Sequence, residues 1–188
     1  MKKNVNRMLL LASLWLTACS SNDDKMVSTE TANSPKSMKE RILQMEDSIA
    51  TLDPSKTPPA AYNLTQIELI NRLEAYCQSF PKDAYSAECL FKLHMIYSGL
   101  NAQQKSVAYG DSLLRNFPNY ANRTLLLESM ASAYDMFITP RDTASVRRYY
   151  LLLLKDEKYP STKKREVKER LKYLHLSWMD FANRKQAR

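Results

Sequence analysis

Large apolar side chains recur every three or four residues along most of the chain beyond residue 38, which predicts helices that each bury one face. The first stripe runs from Met38 to Leu52, a proline-broken connection follows, and Asn63 is expected to cap the next helix. Gly99 is expected to end another helix in the left-handed conformation. Further helices are predicted near residues 84–98, 102–116, 120–137, 142–156 and 161–183. No series of alternating apolar and polar residues occurs in the sequence, so the predicted fold class is all-α.

An aromatic residue followed by proline recurs between the predicted helices. The three markers are Phe80-Pro81, Phe117-Pro118 and Tyr159-Pro160, at spacings of 37 and 42 residues. Periods of that size are typical of stacked helical hairpins. We expect each aromatic ring to close one helix against the core, and each proline to stop that helix and start the next. The pattern predicts a short array of antiparallel helical hairpins over residues 63–183.

The segment from Leu90 to Pro118 resembles a tetratricopeptide repeat. The residues that match the packing positions of that repeat, in this unit and the next, are Leu90, Leu93, Tyr97, Ser106, Pro118, Leu127, Ala131, Tyr134 and Pro160. His94 stands where the repeat has glycine or another small residue, and Gly110 stands where it has an aromatic residue. The second unit reaches Pro160 about five residues late, and the added turn is expected to bend the stack or lengthen one hairpin.

The N-terminus has a pattern of another kind. A basic start is followed by a short apolar run, Met8 to Leu16, and then by Leu16-Thr17-Ala18-Cys19. The run is well short of the roughly 20 residues that a bilayer span needs. The pattern resembles a bacterial lipoprotein signal peptide, which implies removal of residues 1–18 and acylation of Cys19 as a membrane anchor. Ser20 after the cysteine resembles lipoproteins sent to the outer membrane, on either face of it.

The residues after Cys19 are polar and are predicted to form a flexible tether over residues 19–37. The opening segment, residues 20–24, resembles the serine-plus-acidic segment of surface-exported lipoproteins of the Bacteroidetes, and an ordinary polar linker has the same composition. Residues 38–62 are predicted to form an N-terminal helix and linker, and residues 184–188 a basic tail.

Charge is distributed unevenly along the chain. Residues 19–140 carry 11 Lys/Arg against 14 Asp/Glu, whereas residues 141–188 carry 14 against 6. A basic end is typical of proteins with acidic partners, here an acidic protein, a lipid or a glycan surface. Arg165, Lys168 and Lys172 line the polar face of the last predicted helix, either as a docking strip or as the solvated end of the array. Nucleic acid is not an expected partner of an exported, anchored chain.

Two further candidate features remain open. Arg147, Arg148, Tyr149 and Tyr150 are candidates for a peptide-binding groove; the alternative is that one tyrosine is core and the other half-exposed. His94 and His175 are expected to be packed rather than to bind a ligand. Cys77 and Cys89 form either a disulfide or two buried thiols.

The sequence contains no glycine-rich phosphate loop, no Cys and His set at metal spacing and no nucleophilic serine motif. We therefore predict no catalytic residues, no metal site and no cofactor, and expect a binding protein rather than an enzyme.

A lipid-anchored chain with such helical hairpins resembles the lipoprotein scaffold of the outer-membrane β-barrel assembly machinery and related division-linked repeat proteins, over Leu64 to Met179. This resemblance implies a grooved surface that holds an envelope protein.

Overall fold

The computed structural model describes residues 33–53 and 55–186. The predicted signal peptide, Cys19 and most of the predicted tether lie outside the described residues. All regular structure within them is helical, which confirms the all-α class. The helices are α1 (Pro35–Ala50), α2 (Pro59–Ser79), α3 (Ala84–Gly99), α4 (Gln103–Asn116), α5 (Arg123–Ser132), α6 (Thr143–Lys155), α7 (Ser161–Lys172) and α8 (Trp178–Gln186), and a π-helical turn (Ala133–Phe137) continues α5. No helix in the described ranges combines the length and the apolar character needed to cross a bilayer.

From α1 to α7, each helix packs chiefly against its neighbours in the chain, and α3 with α4 is the most extensive of these pairs. One apolar cluster joins α1, α2 and α3 around Ile42 and Leu73, and a second joins α3 through α7 around Leu127. Cys77 and Tyr109 pack against both clusters. Because α1 shares a core with α2, the chain from Pro35 onward forms one compact unit.

The first two aromatic-proline markers end their helices as expected. Phe80 and Phe117 have the same backbone conformation (φ −132°, ψ 59° and φ −133°, ψ 69°), and each donates its amide to the carbonyl four residues earlier at 2.9 Å. The third marker differs, because α6 already ends at Lys155 and a turn precedes Tyr159. Tyr159 is nevertheless buried, so its ring does close against the core.

The expectation that each proline starts the following helix is wrong for two of the three. Pro81 and Pro118 lie inside turns, and the next helices begin at Ala84 and Arg123. Only Pro160 stands directly before a helix. In the turn after Pro81, Asp83 caps α3 by accepting a hydrogen bond from the Tyr85 amide at 2.8 Å. Side-chain capping therefore sets this helix start instead of proline.

Other helix ends also differ from the prediction. The first helix begins at Pro35, so residues 35–37 of the expected tether are helical. The second helix begins at Pro59, and Asn63 lies exposed within it, because proline is well tolerated in the first turn of a helix. Gly99 has no positive φ; Asn101 takes that conformation instead, with φ 57°. Asparagine is among the residues that tolerate the left-handed region.

The single helix predicted over residues 161–183 is wrong, because the structure has two helices there. Ser177 donates its hydroxyl to the Asp180 carboxylate at 2.7 Å and accepts the Asp180 amide at 3.1 Å. This reciprocal contact is a helix N-terminal cap, and α8 starts at the next residue, Trp178.

Candidate functional site

A carboxylate with two stacked tyrosines links α2 to the pair α3 and α4. Glu74 on α2 accepts hydrogen bonds from the hydroxyls of Tyr97 at 3.2 Å and Tyr109 at 2.6 Å. The two rings stack with centroids 5.5 Å apart and planes 4° from parallel. Burial, and then the hydrogen bond to Glu74, raises the pKa of Tyr109, so that its hydroxyl stays protonated and donates.

The same contact recurs one period later along the chain. Asp111 on α4 accepts from Tyr149 on α6 and from Tyr134 in the π-helical turn, the latter at 3.3 Å, and those rings stack at 5.4 Å and 13°. Asp111 follows Glu74 by 37 residues, and Tyr134 follows Tyr97 by the same 37 residues. Successive pairs of helices are therefore joined by equivalent contacts.

Polar contacts also join alternate helices. Lys92 on α3 pairs with Glu46 on α1 at 2.6 Å, His94 on α3 bonds Ser129 on α5 at 2.8 Å, and Lys163 on α7 pairs with Glu128 on α5 at 2.6 Å. These contacts link α1 to α3, α3 to α5 and α5 to α7.

Most of the residues that were predicted to pack the repeats are buried. Leu90, Leu93, Tyr97, Ser106, Leu127 and Ala131 are buried, Tyr134 is half-buried, and Pro118 and Pro160 are exposed in their turns. The predicted packing residues that lie within helices or the π-helical turn are therefore turned toward neighbouring helices, whereas the two prolines are not.

The two residues that depart from the repeat pattern, His94 and Gly110, are neighbours in the structure. His94 is fully buried, with Nδ1 2.9 Å from the Ser106 carbonyl and Nε2 2.8 Å from the Ser129 hydroxyl. A Cβ added to Gly110 would clash with Met130 Sδ and lie 3.3 Å from His94 Nδ1. The glycine at 110 therefore leaves room chiefly for the buried Met130 side chain and, to a smaller extent, for His94. Burial lowers the pKa of His94, which keeps the ring neutral.

Asp135, in the π-helical turn, is the centre of a buried ionic network. Arg170 on α7 grips its carboxylate with two N–H groups at 2.8 Å each, Arg141 donates at 2.6 Å, and Tyr150 donates at 3.0 Å. Arg170 is 2% exposed. Burial by itself raises the pKa of Asp135, but the hydrogen bonds from the two arginines outweigh it and hold that pKa below its ordinary value.

The same two arginines fix the connection after α7. Arg170 donates to the carbonyls of Tyr173 at 2.7 Å and Leu176 at 2.9 Å, and Arg141 donates to that of Leu174 at 2.7 Å. The carbonyls of Leu174 and Leu176 are thereby bound by arginine side chains, and that of Tyr173 is shared by Arg170 and the Leu176 amide of a turn. These contacts satisfy the chain just after the end of α7 at Lys172.

Next to this network lies a cavity of about 240 Å³ bounded by α5, α6, α7 and α8, named here the α5–α7 cavity. Its lining includes the aromatic side chains of Tyr150, Tyr159, Trp178 and Phe181 and the charged side chains of Glu128, Lys163, Glu166 and Arg170. Trp178 is 38% exposed, whereas Phe181 is buried.

The predicted groove of Arg147, Arg148, Tyr149 and Tyr150 is not formed as one surface. Both tyrosines are buried, at 0% and 8% exposure, so the expectation that one would be half-exposed is also wrong. The Tyr149 hydroxyl bonds Asp111 and the Tyr150 hydroxyl bonds Asp135, so neither is free for a partner. The arginines are exposed, and Arg148 lies 5.3 Å from the centre of the Tyr149 ring and 3.7 Å from Asp111.

The predicted basic strip does lie at the surface. Arg165, Lys168 and Lys172 are exposed and share one face of α7, turned away from the α5–α7 cavity. Lys172 pairs with Glu169 at 3.0 Å. Of the two histidines, His94 is packed as expected, but His175 is exposed.

Cys77 and Cys89 are free thiols on the adjacent helices α2 and α3. Cys89 is buried and Cys77 half-buried, in agreement with the alternative of two thiols. A hydrogen bond from Cys89 holds the pKa of Cys77 below its ordinary value, whereas that bond, together with burial, raises the pKa of Cys89.

Sequence reasoning missed the network around Asp135 and the cavity beside it. Ser177-Trp178-Met179-Asp180 is a capping signature from which the start of α8 could have been predicted.

Among the described residues, no group of three or more His, Cys, Asp or Glu side chains is arranged to hold a metal ion. No protein-family model, curated protein or solved structure matches this chain.

Proposed function

We propose that this chain is a lipid-anchored envelope scaffold that binds other proteins through stacked helical pairs similar to tetratricopeptide repeats, in the assembly of outer-membrane proteins. The observation that carries the proposal is the recurrence of the carboxylate–tyrosine contact, centred on Glu74 and again on Asp111. A stack built from equivalent junctions is rigid and presents one row of helices to a partner, which lowers the entropy cost of binding.

The anchor supplies the other half of the proposed function. Acylation of Cys19 would confine the helical unit to the outer membrane and raise its effective concentration near envelope proteins. The polar residues between Cys19 and Pro35 would give the unit reach.

The test is crosslinking in intact cells, followed by affinity purification of the full chain and mass spectrometry, beside a Cys19→Ala control. We expect β-barrel assembly proteins to be enriched over the control. Recovery of cell-wall or division proteins instead would identify a division-linked adaptor, the nearest alternative function. Recovery of no envelope protein above the control would contradict the scaffold proposal.

A second candidate function is attachment to a polyanion, favoured by the exposed face of Arg165, Lys168 and Lys172. Each basic side chain near an anionic bilayer is worth about 1 kcal/mol. Replacing all three with glutamine is then expected to abolish salt-sensitive binding to vesicles or glycans that carry phosphate, with helicity unchanged. Binding that survives the triple replacement would remove this candidate.

A further inference from the structure

The size of the α5–α7 cavity points to a single side chain as its occupant. Its volume is about 240 Å³. Small-molecule sites run from about 300 to 1,000 Å³, so the cavity is too small for a typical metabolite and large enough for one long side chain.

The ionic side chains at the cavity are paired, with one exception at its mouth. Arg170 is matched by Asp135, and Lys163 is matched by Glu128 at 2.6 Å. Glu166 is exposed beside them and forms no ion pair with another described residue. Tyr159 and both carboxylates line the same cavity. Burial, then the charge and hydrogen bond of Glu128, and last the charge of Glu166 raise the pKa of Tyr159 to about 12.

The aromatic walls add a second attraction of the same sign. The guanidinium of Arg170 lies 4.9 Å from the ring centre of Phe181 and 5.9 Å from that of Trp178. Both rings therefore already make a cation–π contact with a buried arginine of the protein itself. Trp178 is partly exposed toward solvent. We propose that the α5–α7 cavity binds a lysine or arginine side chain of the protein partner, between Trp178 and Tyr159, with Glu166 as its counter-charge. This inference rests on the proposed function, because it specifies the chemistry of the partner.

Trp178 provides a direct reading of occupancy. The chain has two tryptophans, and Trp15 lies in the predicted signal peptide, so Trp15→Phe makes Trp178 the only tryptophan whether or not that segment is removed. The full chain with this change is titrated with acetylated, amidated tripeptides Gly-Xaa-Gly, in which Xaa is lysine, arginine, glutamate or norleucine. We expect a saturable change in fluorescence with the lysine and arginine peptides only. No saturable change with either peptide, or an equal change with norleucine or glutamate, would overturn the inference.

A matched pair of variants separates the site from general charge effects. Glu166→Gln is expected to weaken binding of the cationic peptides about tenfold. Glu169→Gln removes a carboxylate of the same helix that pairs with Lys172 outside the cavity, and is expected to leave binding unchanged. Equal losses in both variants would contradict a specific role for Glu166.

The peptide titration and the crosslinking in intact cells test different claims. If crosslinking recovers a protein partner but the tripeptides do not bind, the inference about the cavity fails and the scaffold function stands. If crosslinking recovers no partner, the scaffold function itself fails.

Discussion

Replacing Asp135 with asparagine is expected to destabilise the helical unit more than any exposed substitution. The carboxylate accepts four hydrogen bonds of 2.6–3.0 Å, from Arg170, Arg141 and Tyr150. Asparagine keeps the shape but loses the charge, and its NH₂ group faces N–H donors. Asp135→Asn therefore leaves the Arg170 guanidinium buried without its counter-charge.

The magnitude follows from the burial of both partners, whose side chains are 0% and 2% exposed. Removing one partner of a buried ion pair costs about 3–5 kcal/mol. At about 2–4 °C per kcal/mol for a domain of this size, the Tm falls by roughly 6–20 °C. Thermal unfolding followed by circular dichroism measures this, with Asp47→Asn, an exposed carboxylate on α1, as the control. A loss below about 1 kcal/mol would refute the buried network.

The pH dependence gives an independent check of the same reasoning. Because the pKa of Asp135 in the folded chain lies below its unfolded value of about 3.9, its stabilisation is complete above that value and is lost as the pH falls through the folded pKa. Asp135→Asn is expected to lose less stability between pH 5 and pH 2 than the wild type. An acid transition of unchanged steepness would contradict the assignment.

Two further predictions concern the junctions between helices. Glu74→Gln and Asp111→Asn each weaken two tyrosine hydrogen bonds and are expected to cost about 1–2 kcal/mol in urea unfolding. The two losses should add in the double variant, because the residues serve separate junctions; strong non-additivity would show that the junctions are not independent. Gly110→Ala is expected to cost about 1–3 kcal/mol through its clash with buried neighbours. Gly99→Ala, with open space around the added carbon, should be neutral or stabilising, and equal losses at both glycines would contradict the packing described.

The helices and their aromatic ends could be predicted because both depend on local signals. Apolar spacing identifies a buried face, and Phe80 and Phe117 each follow such a stripe directly. Helix starts were harder to predict, because Pro59 tolerates the first turn of a helix and Asp83 supplies a cap that proline was expected to replace. These errors arise from competition between local signals over a few residues.

The network and the cavity could not be predicted in the same way. Asp135 and Arg170 are 35 residues apart, and charged residues in a sequence are ordinarily solvated rather than buried. The cavity draws its walls from four helices and the turn before α7, so no spacing within one helix announces it. Tyr149 and Tyr150 illustrate the same limit, because the Tyr149 hydroxyl donates to Asp111 on α4 and the Tyr150 hydroxyl donates to Asp135 in the π-helical turn.

Site-specific photo-crosslinking in intact cells tests the central claim most directly. A photoreactive residue replaces Lys163, at the α5–α7 cavity, or Lys168, on the outer face of the same helix, in the full chain. A lipid-anchored scaffold whose partner occupies the α5–α7 cavity predicts a discrete protein adduct from position 163 that is lost in the Cys19→Ala chain, with little adduct from position 168. A protein adduct from position 168 alone, or no protein adduct from position 163, would contradict it.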